Sequence, residues 1–160
     1  MCEGASTYSF KAQQHQSQDV YTTGKIGEWG VWRYLKSLPD ITIAHTPFRE
    51  SYQHFDPRDD FIIEFLNGER IQIEVKTKAR NVAPQPHYEC CTDCIRASML
   101  YIFVSYDRQS NTVTLLGQAW WENFRAGAVV VERGETNINF EHRVCEFNIP
   151  ISYLSPLIKR

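Results

Sequence analysis

One hundred and sixty residues with 42% apolar and 22% charged side chains have the make-up of an ordinary globular domain, not of a disordered chain. Seventeen Lys and Arg against nineteen Asp and Glu leave a net charge of −2. That excludes a polycation holding nucleic acid by bulk charge, but leaves room for a local basic strip.

No run approaches the roughly 18 apolar residues of a transmembrane helix, so no membrane partner is expected. The opening Met1-Cys2-Glu3-Gly4-Ala5-Ser6 lacks the layout of a signal peptide, and a cytoplasmic location is expected. Residues 1–20 are rich in Gln, Ser and His, as in Gln13-Gln14-His15-Gln16, and show no sustained apolar period. They read as a flexible N-terminal arm ahead of a single domain over residues 21–160. A helix is expected from Thr22 or Thr23, either of which caps it, to about Leu38, where Pro39-Asp40 stops it. On that helix Glu28, Val31, Trp32, Leu35 and Leu38 fall three and four apart, so one carboxylate lies in line with the apolar stripe.

Ile41 to His45 reads as a short strand, followed by a polar, aromatic loop. Two alternating runs then flank Asn67-Gly68, which makes a hairpin. A two-residue turn would place Phe61 opposite Glu74 and Ile63 opposite Gln72, mixing the faces. A three-residue loop, Leu66-Asn67-Gly68 with Gly68 left-handed, instead pairs Phe65 with Glu69. Then Phe61, Ile63 and Phe65 share a face with Ile71, Ile73 and Val75, and only this register can pack. The other face sets Glu64 opposite Arg70 and Asp60 opposite Glu74, with the two carboxylates about 5 Å apart at Cβ. Lys76 follows two residues on along the same face.

Residues 81–89 hold two prolines and read as a loop. Met99 to Tyr106 is almost continuously apolar, as in a central strand covered on both faces, and Thr112 to Leu116 pairs with it. Gln118 to Arg125 reads as a helix, residues 128–132 and 138–148 as strands, and residues 152–158 as a short terminal helix or turn. The expected class is α/β, a mixed β-sheet with flanking helices.

Asp60, Glu74 and Lys76 carry the strongest chemical signal. Two carboxylates that converge repel each other, and a hard divalent ion with oxygen ligands, such as Mg²⁺, relieves the repulsion. The Val75 carbonyl, between Glu74 and Lys76, adds a backbone oxygen. An ammonium beside such a site helps to hold and deprotonate a water, the nucleophile of phosphodiester hydrolysis. An isolated Glu-x-Lys is ordinarily the solvated face of an amphipathic strand; the Asp paired across the hairpin sets this one apart.

Asp60-Phe61-Ile62-Ile63 followed by Ile73-Glu74-Val75-Lys76 resembles the split Asp…Glu-x-Lys signature of the PD-(D/E)XK, restriction-endonuclease-like superfamily. The helix opening Gly24-Lys25-Ile26-Gly27-Glu28 is similar to the Gly-x-x-Gly-Glu opening of small archaeal Holliday-junction resolvases and related nucleases. The resemblance covers about residues 23–80, extends to the strand expected at 99–106, and leaves the C-terminal third unmatched. It implies a restriction-endonuclease-like core and an endonuclease that cuts DNA with Mg²⁺, or Mn²⁺ as substitute, and needs no organic cofactor. In its terms Asp60 and Glu74 bind the metal, Glu28 completes the acidic cluster and Lys76 orients the attacking water. Pro57 stands three residues before Asp60, so Asp56 and Asp59 are alternative ligands; the hairpin register favours Asp60. Cutting two strands further implies a two-fold homodimer.

Lys78 continues the Lys76 face and Arg80 follows it, a basic strip that suits a phosphate backbone, with Lys25 beside Glu28 as a further contact. Such a strip is equally the solvated end of a strand. His87, Cys90, Cys91 and Cys94 stand at helical i, i+3, i+4, i+7 spacing. Cys90, Cys91 and Cys94, completed by His87 or else by Cys145 or Cys2, would form a zinc set, although cysteine is ordinarily a small buried hydrophobe. Two rival readings therefore stand beside the nuclease: a catalytically silent DNA-binding or assembly module of the same fold, and a small zinc-stabilised α/β interaction domain.

Overall fold

The computed structural model describes residues 8–11, 20–47, 60–80, 90–92, 95–131, 136–137, 140–141 and 146–158. In chain order the elements are β1 (Tyr8–Lys11), α1 (Val20–Lys36), β2 (Ile41–His45), β3 (Phe61–Phe65), β4 (Arg70–Arg80), β5 (Cys90–Thr92), β6 (Met99–Asp107) and β7 (Thr112–Trp120). These are followed by α2 (Trp121–Gly127), β8 (Val129–Val131), β9 (Thr136–Asn137), β10 (Phe140–Glu141), β11 (Glu146–Ile149) and a 3-10 turn at Ile151–Tyr153.

The class is α/β. Six strands form a mixed sheet in the order β1-β7-β6-β4-β3-β2, in which β4 and β6 run parallel and every other neighbouring pair is antiparallel. A second sheet, β5-β11-β8, is antiparallel, and β9 pairs with β10.

The hairpin adopts the bulged register, with Glu64 opposite Arg70, Ile63 opposite Ile71 and Phe61 opposite Ile73. The Phe65 N–H donates to the Glu69 carbonyl at 2.9 Å, and Gly68 closes the loop at φ +82°, a conformation that costs other residues about 1–2 kcal/mol. Arg70 donates to Glu64 across the strands at 2.6 Å.

β6 is covered on both faces, which is why its sequence does not alternate. Leu100, Ile102, Val104 and Tyr106 join Val31 and Leu35 of α1, with Phe61, Ile63, Ile73 and Val75, in one core. Met99, Tyr101 and Phe103 join Phe124 of α2 and Ile149 of β11 in the other. The rings of Tyr101 and Phe103 meet Phe124 edge-on at 5.1 and 5.2 Å between centroids, each pair adding about 0.5–1.5 kcal/mol to the burial itself.

α1 starts at Val20, ahead of the threonines expected to cap it. It ends where the N–H groups of Ser37 and Leu38 tighten onto the carbonyls of Tyr34 and Leu35, just before Pro39. Burying Val31 and Leu35 completely contributes about 1.5–3 kcal/mol each.

Three expectations change. Tyr8–Lys11 is not part of a flexible arm: it adds an edge strand, and the open edge of β7 supplies the backbone partners that its length alone did not announce. Gln118 to Trp120 are strand, not helix, because the ladder with β6 runs on to Trp120 opposite Leu100. Gln118 also exchanges both backbone hydrogen bonds with Ser155, at 2.9 and 2.8 Å, and the helix begins only at Trp121. The terminal segment holds one 3-10 turn and then runs extended.

Candidate functional site

The site lies where β3 begins beside the middle of β4. β3 enters its ladder at Phe61, opposite Ile73, so Asp60 stands at the point where the two strands start to part. Its Oδ2 accepts a hydrogen bond of 2.6 Å from the Val75 N–H. The N–H and C=O of one strand residue address the same neighbour, so the Val75 carbonyl lies on this flank too.

Glu74 and Lys76 share a face because strand side chains alternate. Lys76 Nζ donates to Glu74 Oε1 at 2.7 Å. Parallel pairing sets Glu74 beside Tyr101 and Lys76 beside Phe103, so the pair sits over the aromatic core and both side chains are largely withdrawn from water.

Glu28 comes from α1. A Cβ on Gly27 would lie 1.8 Å from Thr77 Oγ1, so only glycine lets the helix approach β4 this closely. That approach brings the next residue within electrostatic reach of Glu74 and Asp60. Glu28 is buried and bonded to Lys25 Nζ at 2.5 Å. Burial raises its carboxyl above the ordinary value and the repulsion of Glu74 adds to this, against the pull of Lys25.

Asp60 shows the largest effect. Burial, then the charge of Glu74 and more weakly that of Glu28, pushes its carboxyl from 3.8 up to about 7, despite the Val75 N–H and Lys76. Among the described residues it forms no ion pair.

The structure thus brings together Asp60, Glu74, Val75 and Lys76, with Glu28 at the margin. Among the described residues no three His, Cys, Asp or Glu side chains are arranged to hold a metal ion, and Glu28 is not drawn into a three-carboxylate set. In kind, the Asp60–Glu74 pair still fits a hard cation: two carboxylates at an open strand end, one of them a half-buried group that forms no ion pair among the described residues. Lys25 is bound to Glu28. Lys78 lies two residues beyond Lys76, beside Ser105, and Arg80 ends β4.

The zinc expectation loses its premise. Cys90 and Cys91 are consecutive residues of strand β5, opposite Ile149 and Asn148 of β11, so they are not positions on one helical face. The β5–β11 ladder overrode the helical spacing. Cys2, His87, Cys94, Cys145, Asp56, Pro57 and Asp59 lie outside the described residues.

Sequence reasoning missed Arg96. Its Nη2 donates to Glu74 Oε2, and its backbone N–H donates to the Tyr101 hydroxyl at 2.7 Å. Burial raises the Tyr101 hydroxyl above its ordinary value. No spacing links residue 96 to residue 74; only the parallel placement of β6 against β4 brings them together.

Comparison of the chain with protein-family models, curated proteins and solved structures finds no match in any of the three. Among the described residues no helix is long and apolar enough to cross a membrane.

Proposed function

We propose that this chain is a metal-dependent endonuclease that hydrolyses DNA phosphodiester bonds on a restriction-endonuclease-like core. The observation that carries the reading is the Asp60–Val75 hydrogen bond, which sets a half-buried carboxyl against Glu74 while Lys76 shares the Glu74 face. Support also comes from the element order: a helix, a three-stranded antiparallel meander, then a strand parallel to the last of the three.

Asp60 and Glu74 would hold Mg²⁺ or Mn²⁺, with the Val75 carbonyl on the same flank and Glu28 adding negative charge behind them. The ion supplies Lewis-acid stabilisation of phosphate charge and an acidified water when bound. Lys76 holds the attacking water by its ammonium, and its attachment to Glu74 fixes where that ammonium points. The water attacks phosphorus as one P–O ester bond breaks, its proton passing by way of solvent to the departing oxygen, and Lys78 and Arg80, further along β4, would contact the backbone phosphates.

A second reading, a DNA-binding module that does not cut, is favoured by one observation: Glu74 is already held by two cations, Lys76 and Arg96. Cleavage of labelled linear, nicked, single-stranded and four-way-junction DNA in Mg²⁺ and in Mn²⁺ separates the two. The nuclease cuts at least one substrate, and both Lys76→Ala and Asp60→Ala lose the activity. Binding without cutting, by folded protein, supports the second reading instead.

A further inference from the structure

Glu74 is gripped at both oxygens of its carboxylate. Lys76 Nζ donates to Oε1 at 2.7 Å, and Arg96 Nη2 donates to Oε2. Neither cation is spare: Asp60 and Glu28 lie within electrostatic reach of the same carboxylate, and Lys76 and Arg96 each make further interactions. What Arg96 adds is therefore placement more than charge. A carboxylate gripped at one oxygen still rotates about its last bond, whereas one gripped at both does not. It offers about four lone-pair sites in all, so two donors leave each oxygen a site for a metal ion.

Arg96 is itself held. Its backbone N–H donates to the Tyr101 hydroxyl at 2.7 Å. That ring is fully buried and meets Phe124 edge-on, so the packing of the second core fixes where the acceptor lies. Two residues after Arg96, Ser98 takes φ +62°, a left-handed conformation that a non-glycine residue adopts only against strain. Parallel pairing sets Tyr101 directly beside Glu74. The segment before β6 thus folds back on the strand it enters: residue 96 is tied to residue 101, and its side chain to the neighbour of residue 101. Phenylalanine would fill the same core, but only the hydroxyl supplies the acceptor.

We propose that Tyr101 is a positioning residue for Glu74, acting through Arg96: the buried hydroxyl pins the Arg96 backbone, and the guanidinium then fixes the carboxylate in the orientation that a metal ion needs. This rests on the nuclease reading and extends it to two residues outside the Asp…Glu-x-Lys motif. Removing the partners that orient a metal-ligating group ordinarily lowers affinity or rate about 10–100-fold.

The test uses the full chain with Mg²⁺ alone as the probe. Affinity is read by calorimetry without DNA, and urea midpoints check the fold. Tyr101→Phe keeps the ring and leaves the Arg96 charge in the protein, so only the pin is lost. It is expected to weaken Mg²⁺ by roughly threefold to tenfold and to slow single-turnover cleavage about tenfold. Arg96→Lys keeps the cation but gives up the reach and planar shape of the guanidinium, and should weaken Mg²⁺ by a similar factor. It carries the test should Tyr101→Phe melt early. In an Arg96→Gln background, Tyr101→Phe should move affinity and rate by less than about twofold, because the residue it acts through is gone. A merely structural tyrosine would lower the urea midpoint and leave Mg²⁺ affinity where it was.

Unchanged Mg²⁺ affinity in both Tyr101→Phe and Arg96→Lys would overturn the proposal while leaving the nuclease reading intact. A full-sized effect of Tyr101→Phe in the Arg96→Gln background would overturn it as well, since Tyr101 would then act without Arg96. Tighter Mg²⁺ binding in Tyr101→Phe would do the same, marking Arg96 as a block on the metal. If wild-type protein neither binds Mg²⁺ nor cuts DNA, the nuclease reading itself fails and this proposal falls with it.

Discussion

Asp60 Oδ2 accepts a 2.6 Å hydrogen bond from the N–H of Val75, the residue between Glu74 and Lys76. One bond therefore joins the first residue of the hairpin to the middle of the Glu-Val-Lys run. A hydrogen bond of this kind favours the ionised carboxylate, yet burial and the nearby Glu74 outweigh it, so the charge is held there at a cost. A site that pays this penalty without a cation is less stable than it needs to be.

Asp60→Asn should therefore stabilise the metal-free protein at alkaline pH and abolish cleavage. The folded carboxyl is raised to about 7 from 3.8, so folding disfavours its ionised form. Wild-type stability is then least affected below pH 4, declines as pH rises from about 4 to 7, and levels off above 7. The full effect is about 2–4 kcal/mol, counting the screening of a half-buried group. Urea melts of both proteins in EDTA at pH 5 and pH 8.5 check this: the stability gained by the variant relative to wild type should be clearly larger at the higher pH. Equal differences at the two pH values would remove the electrostatic argument.

Metal binding should show the same group from the other side. Only the ionised Asp60 is a ligand, so Mg²⁺ must displace a proton below pH 7. Mg²⁺ affinity is expected to fall about tenfold for each pH unit below 7 and to flatten above it. Calorimetric titrations at pH 5.5, 6.5, 7.5 and 8.5 read this directly. An affinity independent of pH over that range would place the metal away from Asp60.

The hairpin register was legible because a one-residue slip exchanges faces, and only one loop length separates Phe61, Ile63, Ile71 and Ile73 from Glu64 and Arg70. From that register the Asp60–Glu74 approach follows with no knowledge of the rest of the fold. β6 was legible for a related reason: a strand buried on both faces has no polar positions to interrupt it. What escaped was set by partners distant in sequence. Tyr8–Lys11 is a strand because β7 has an edge to offer, and Cys90–Thr92 because β11 lies alongside it. Arg96 meets Glu74 because β6 returns parallel to β4. Local spacing carries no record of such pairings, and at Cys90 it pointed to the wrong period.

Glu28 should matter more to activity than to stability. It is buried and bound to Lys25, and burial has already raised its carboxyl. Glu28→Gln keeps the shape and can still accept from Lys25, so the melting midpoint should change by no more than about 1 kcal/mol in stability. Cleavage should fall about 10–100-fold, the usual effect of removing charge just behind a metal site. Single-turnover rates beside urea melts separate the two effects. A variant that unfolds while retaining its rate per folded molecule would make Glu28 a structural acid only.

The two glycines of the helix opening make opposite predictions. A Cβ on Gly24 meets nothing within 4 Å, whereas one on Gly27 lies 1.8 Å from Thr77 Oγ1 and 2.8 Å from Thr77 Cβ. Gly24→Ala should therefore stabilise the fold, by up to about 1 kcal/mol, through helix propensity. Gly27→Ala must push α1 off β4, and overpacking of this sort costs about 1–3 kcal/mol. The displacement carries Glu28 away from Glu74, so Gly27→Ala should also lose activity beyond its loss of stability. Thr77→Gly, which removes all three clashing atoms (Oγ1, Cβ and Cγ2), should restore part of that activity in the double variant even though glycine is a poor strand residue. Rates per folded molecule for the two single variants and the double are the measurement. Full activity in Gly27→Ala would mean that the close approach of helix to strand does not position Glu28.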